Sequence, residues 1–110
     1  MKTKQNYNAE EEYLRAYWDQ IADIQGAADV LVESGTYLSS RRGVVRVYWE
    51  VYRLTRIPGK PIPLCRYDAE YPNSSAKGFS AFLFASATKL AHMFSNVVAE
   101  EERAARSKEG

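Results

Sequence analysis

The stretch from Arg41 to Arg56 constrains the fold more than any other, because its side chains satisfy two incompatible periodicities. Taken as a strand, Val45, Val47, Trp49 and Val51 fall on one side, and Arg46, Tyr48, Glu50 and Tyr52 on the other. Taken as a helix, Arg42, Arg46, Glu50 and Arg53 line one face at steps of four, four and three. Valines and large aromatics lose χ1 freedom against a preceding helical turn, and they fit a pleated surface well. The strand is therefore favoured. The helical alternative makes the whole chain an all-α bundle.

The flanks support a strand between helices. Asn8 is an expected N-cap, with Glu10, Glu11 and Glu12 in the first turn, where carboxylates complement the positive end of the helix dipole. Leu14, Tyr17, Trp18, Ile21, Ile24, Ala28, Leu31 and Val32 then recur at three- and four-residue steps. That spacing predicts an amphipathic helix over about 9–33, with Gly26 as a kink and Gly35 as the residue that ends it. Ile57-Pro58-Gly59-Lys60 has the pattern of a type II turn. Pro61 and Pro63 keep the strand after it, around Leu64 to Tyr67, short and at a sheet edge. Ser74 or Ser75 is the expected cap of a last helix over about 75–105, with Phe79, Phe82, Leu83, Ala87, Leu90 and Val97 on its buried side.

The expected fold is α+β: two long amphipathic helices, about 9–33 and 75–105, packed on a short antiparallel hairpin at about 44–67. The 110 residues form a single domain, 1–110, with flexible ends at about 1–7 and 106–110. No apolar run approaches the ~20 residues of a membrane span, and the first eight residues lack an apolar signal core, so no membrane partner and a cytoplasmic location are expected. The single cysteine, Cys65, leaves no internal disulfide framework and fits a reducing compartment.

A net charge of +1 conceals a strong asymmetry. Residues 1–35 carry three basic and seven acidic side chains, residues 36–67 seven basic and one acidic, and residues 68–110 five basic and six acidic. The middle third is thus a basic module between acidic or neutral flanks, and all but one of its cations are arginine. Arginine binds phosphate and carboxylate bidentately and stacks on planar groups, and tyrosine stacks on bases and anchors protein interfaces.

Catalytic signatures are absent. Asp19 and Asp23 stand four apart on a polar helix side, where carboxylates are ordinarily solvated. His92 is the only histidine and has no Cys/His cluster around it in the sequence, so no metal and no cofactor is expected. Cys65 lies beside Arg66 but has no base and orienting group adjacent in sequence, and reads as an inert thiol. There is no phosphate loop, nucleophile elbow or dinucleotide fingerprint. The chain is expected not to be an enzyme. It is expected to be a small accessory protein that engages a protein or nucleoprotein partner through Arg41, Arg42, Arg46, Tyr48, Tyr52, Arg53, Arg56 and Lys60. A phage- or plasmid-type inhibitor, or a small subunit of a nucleoprotein complex, fits that description. The alternative is direct nucleic-acid binding through the same residues, although a pI of about 7.8 is low for it. Two long apolar stripes on so small a chain also raise the expectation of a homodimer.

Overall fold

The computed structural model describes residues 8–38, 43–74 and 77–109. Its elements, in chain order, are α1 (Ala9–Gln25), β1 (Val30–Leu38), β2 (Val45–Arg53), β3 (Ile62–Tyr71) and α2 (Phe79–Glu109). The strands form one antiparallel sheet in the order β1-β2-β3, so the chain is α+β and the all-α alternative is excluded. β2 follows the alternation of its sequence. Val45, Val47, Trp49 and Val51 are all buried, and the residues between them are not.

Two expectations about the first third are corrected. The helix over 9–33 ends at Gln25, and the sheet has a third strand where a helical turn was expected. Gly26 is the C-cap of α1. Asp29 then takes a left-handed backbone conformation, φ 58°, which reverses the chain into β1. The Val30-Leu31-Val32 run suits a pleated strand at least as well as a helix. Ala28, Leu31 and Val32 also fit the helical stripe, because a short apolar run satisfies both periods. Gly35, expected to terminate the helix, lies in mid-strand opposite Tyr48.

Other boundaries move less. Asn8 caps α1 as expected, its side chain accepting from the N–H groups of Glu10 at 2.9 Å and Glu11 at 3.4 Å. β3 runs to Tyr71, well past Tyr67, with a register shift opposite Val51 and Tyr52. Between β2 and β3, Gly59 sits at φ 77° and the Lys60 N–H donates to the Ile57 carbonyl at 3.2 Å, as a type II turn requires. α2 begins at Phe79, after Gly78, and continues to Glu109. Ser74 therefore does not cap it, and Ser75 lies outside the described residues.

Both helices pack on the same side of the sheet. Tyr17 and Ile24 from α1, and Ala87 and Leu90 from α2, share one buried cluster with Val30, Val45, Val47, Trp49 and Val51. Trp49 is its centre, fully buried, stacked on Tyr67 at a centroid distance of 6.1 Å. A buried indole N–H needs an acceptor. Trp49 Nε1–H donates to the Tyr17 hydroxyl at 2.9 Å, which ties the middle strand to α1. The helices are joined to each other by Gln20, whose amide donates to Thr88 Oγ1 at 2.6 Å, and by Tyr13 against Phe84. No helix among the described residues is long and apolar enough to cross a membrane.

Candidate binding surface on the open sheet face

Pairing in an antiparallel sheet places directly opposed residues on one face. Opposite the core, the register therefore assembles four rows: Tyr37-Arg46-Glu70, Gly35-Tyr48-Asp68, Glu33-Glu50-Arg66, and Leu31-Tyr52-Pro63. No helix or strand among the described residues packs on this face.

Arg66 is its hub. Its guanidinium meets Asp68 at 2.6 Å and Glu50 at 3.0 Å, and lies 4.4 Å from the centre of the Tyr48 ring. A planar cation held by two carboxylates above an aromatic ring uses both the fork and the flat face of arginine. The hydrogen bond to Asp68 is the main reason the Arg66 pKa is raised, and the reciprocal bond holds the Asp68 carboxyl below its ordinary range. Arg46 repeats the arrangement more loosely, 3.9 Å from Glu70 and 6.0 Å from the centre of the Tyr37 ring. The Tyr52 phenol is pushed up, first by hydrogen bonding to the Glu50 carboxylate and then by desolvation.

Gly35 makes room for this cluster. A Cβ there would lie 2.4 Å from the Tyr48 ring, so the tyrosine can lie across the neighbouring strand only over a residue without a side chain. Tyr37 then approaches Tyr48 with centroids 6.3 Å apart.

The residues expected to form one basic surface are dispersed. Arg46, Tyr48 and Tyr52 share the open face. Arg53 faces the helices, where it meets Glu101 of α2 at 2.5 Å. Arg56 and Lys60 are exposed in the turn between β2 and β3. Arg41 and Arg42 lie outside the described residues. The face is also less basic than its middle strand. β1 and β3 bring Glu33, Asp68 and Glu70 to join Glu50, so four carboxylates accompany the two guanidiniums of Arg46 and Arg66.

Tyr37, Arg66, Asp68 and Glu70 were not anticipated as site residues. The last three alternate with Tyr67, Ala69 and Tyr71, a period-two signal visible in the sequence once β3 is extended past Tyr67. For Tyr37 the sequence offers only a polar connector over Thr36 to Ser40, with a short strand through Tyr37-Leu38 as an option, and what Tyr37 faces depends on the rest of β1.

Elsewhere the ionisable groups are scattered. Burial, with a smaller contribution from Glu50, pushes the Cys65 thiol up, away from thiolate chemistry. His92 is exposed beside Gln20 and Ser95 in a shallow depression between the helices. No group of three or more His, Cys, Asp or Glu side chains able to hold a metal occurs among the described residues. No protein-family model matches the chain, and neither a curated protein nor a solved structure matches it.

Proposed function

We propose that the chain is a small non-catalytic binding module that engages a protein partner, alone or within a nucleoprotein complex, through the open sheet face. The observation that carries this reading is the cluster of Tyr37, Arg46 and Arg66, all exposed, around a half-buried Tyr48 on a face that no described element covers. Tyrosine and arginine held in fixed orientations offer large contact area at low entropic cost, which is what interface anchors supply. Rigidity comes from beneath, because the other side of β2 is the buried core.

The charge balance favours protein over nucleic acid on this face. Each guanidinium already has a carboxylate, and two carboxylates remain in excess. A phosphate backbone approaching it meets net negative charge, whereas phosphate binding depends on cations free to replace condensed counterions. A protein surface with its own hydrogen-bonding groups extends the existing network.

The test is affinity capture with the native chain and with Tyr48→Ala and Arg66→Ala, each checked for folding by circular dichroism. A specific protein retained by the native chain and lost from both variants is the expected result. In parallel, oligonucleotide binding is measured across a salt series. Tight binding that falls steeply with salt would replace the proposal with the nucleic-acid reading. Capture indifferent to both substitutions would move the interface off this face.

A further inference from the structure

The two edges of the sheet are built differently. Along β3, Arg66, Asp68 and Glu70 place charges on alternate positions, and Pro63 lacks an N–H altogether. Charges and prolines are the usual guards of an edge strand. Along β1, the segment Ser34-Gly35-Thr36-Tyr37-Leu38 has no charge and no proline, and Leu38 is 70% exposed.

Part of the β1 edge is already capped from within. The Gln25 side-chain amide donates to the Val30 carbonyl, and the Val32 N–H donates to Gln25 Oε1 at 2.7 Å. Both backbone groups of a residue in an antiparallel strand point to the same side, alternating along the chain. Val30 and Val32 therefore face the open edge. The bond from Leu54 N–H to the Asp29 carbonyl agrees, placing odd-numbered residues toward β2. Ser34, Thr36 and Leu38 present their N–H and C=O groups outward in the same row, beyond the reach of the Gln25 plug.

We propose that this segment pairs with the same segment of a second copy, antiparallel about a two-fold axis at Thr36, joining two sheets into one of six strands. Gln25 blocks Val30 and Val32, so pairing is confined to residues 34–38. Centred on Thr36, the register sets Thr36 opposite the second copy's Thr36, Ser34 opposite its Leu38, and Gly35 opposite its Tyr37. No like charges are opposed. The second copy's Tyr37 comes to lie beside Gly35 and the Tyr48 ring, and aromatic side chains pack well over a strand glycine.

The helix layer is complementary in the same sense. Leu14, Trp18, Ile21 and Gln25 recur at steps of four, three and four on one side of α1, and Leu14 and Trp18 are 37% and 57% exposed. Gln25 stands level with Val30 and Val32. About 10 Å of helix then brings Trp18 roughly level with Ser34. The second copy's Leu38, opposite Ser34 on the helix side, meets that indole, and the axis repeats the contact. Glu11 and Arg15 occupy the next positions outward on α1 with opposite signs. Antiparallel α1 helices thus present each carboxylate toward the other copy's guanidinium. This mutual fit, satisfied by one sequence on both sides, is what an isologous interface requires. It is held by the β1 edge and α1, and meets the proposed binding face only where the second copy's Tyr37 reaches the Tyr48 ring.

Sedimentation equilibrium of the full chain, alone, tests it. A dimer is expected, with Thr36→Lys weakening it ~10-fold or more by opposing two ammonium groups across the axis. Amide exchange at Ser34 and Thr36 should slow as concentration rises. That second measurement needs no variant, so it decides the matter even if Thr36→Lys fails to fold. A chain that stays monomeric at high micromolar concentration overturns the proposal. So does a dimer unaffected by folded Thr36→Lys, or one whose Ser34 and Thr36 amides exchange at the monomer rate.

Discussion

The two faces of β2 are made from neighbouring residues yet do opposite work. One face carries Val45, Val47, Trp49 and Val51, all buried, and its single polar need is met by Tyr17. The other carries Arg46, Tyr48, Glu50 and Tyr52, partly or fully open to water, with Arg46 and Glu50 paired to Glu70 and Arg66 of β3. Stability comes from the first, where apolar area leaves water and packing is close. The second holds only surface ion pairs and stacking, which contribute little to folding because water screens them. Under the proposed function, that organisation holds the face ready for a partner. Mutations on the two faces should therefore separate stability from binding.

Trp49→Ala should have the largest effect, a loss of about 3–5 kcal/mol, because no relaxation of the surrounding strands fills the space of an indole. Denaturant unfolding measures it, and a loss below about 1 kcal/mol would break the division between faces. Tyr17→Phe comes next. It leaves the Trp49 N–H buried without an acceptor and should cost about 1–3 kcal/mol with the fold intact. Gly35→Ala crosses the division, because its Cβ meets the Tyr48 ring. A cost of about 1–3 kcal/mol is expected from the overpacking, together with loss of partner binding as the tyrosine turns away.

Arg66→Met should leave the denaturant midpoint nearly unchanged, because water screens its exposed ion pairs, while abolishing partner capture. Equal losses of both would make the cluster a structural device. The smallest effect is pH-dependent. Because Arg66 lowers the Asp68 pKa, folding favours the carboxylate. That stabilisation is present above the ordinary carboxylate range and is lost as pH falls through the lowered pKa. Asp68→Asn should thus melt slightly below the native chain at neutral pH, and the gap should close in acid. A gap that persists at low pH would exclude ionisation as its source.

Much of the fold was legible in sequence. β2, the type II turn, the Asn8 cap and the body of both helices follow from local pattern and turn chemistry. The start of β1 was hidden because Ala28, Leu31 and Val32 continue the apolar steps of α1 in register. The turn at Asp29 has no strong local signature either. The candidate site was only partly legible for a related reason. Arg46, Tyr48 and Tyr52 could be placed on one face from β2 alone. Their neighbours come from strands distant in sequence, and the alternation of β2 does not encode what pairs with it.

The sequence by itself determined the buried seam of Val45, Val47, Trp49 and Val51, because period two in β-branched and aromatic residues suits a pleated strand with one face in a core. It also determined the helix-capping carboxylates and the lack of charge in residues 34–38. Only the tertiary structure decided the electrostatic character of the centre. A charge tally along the chain makes residues 36–67 a basic module. Lateral pairing sends Arg53 to Glu101, brings Glu33, Asp68 and Glu70 beside Arg46 and Arg66, and turns that module into a balanced, slightly acidic face. The physical reason is range: backbone period depends on residues two to four apart, whereas charge pairing depends on distance in space, which only strand register sets.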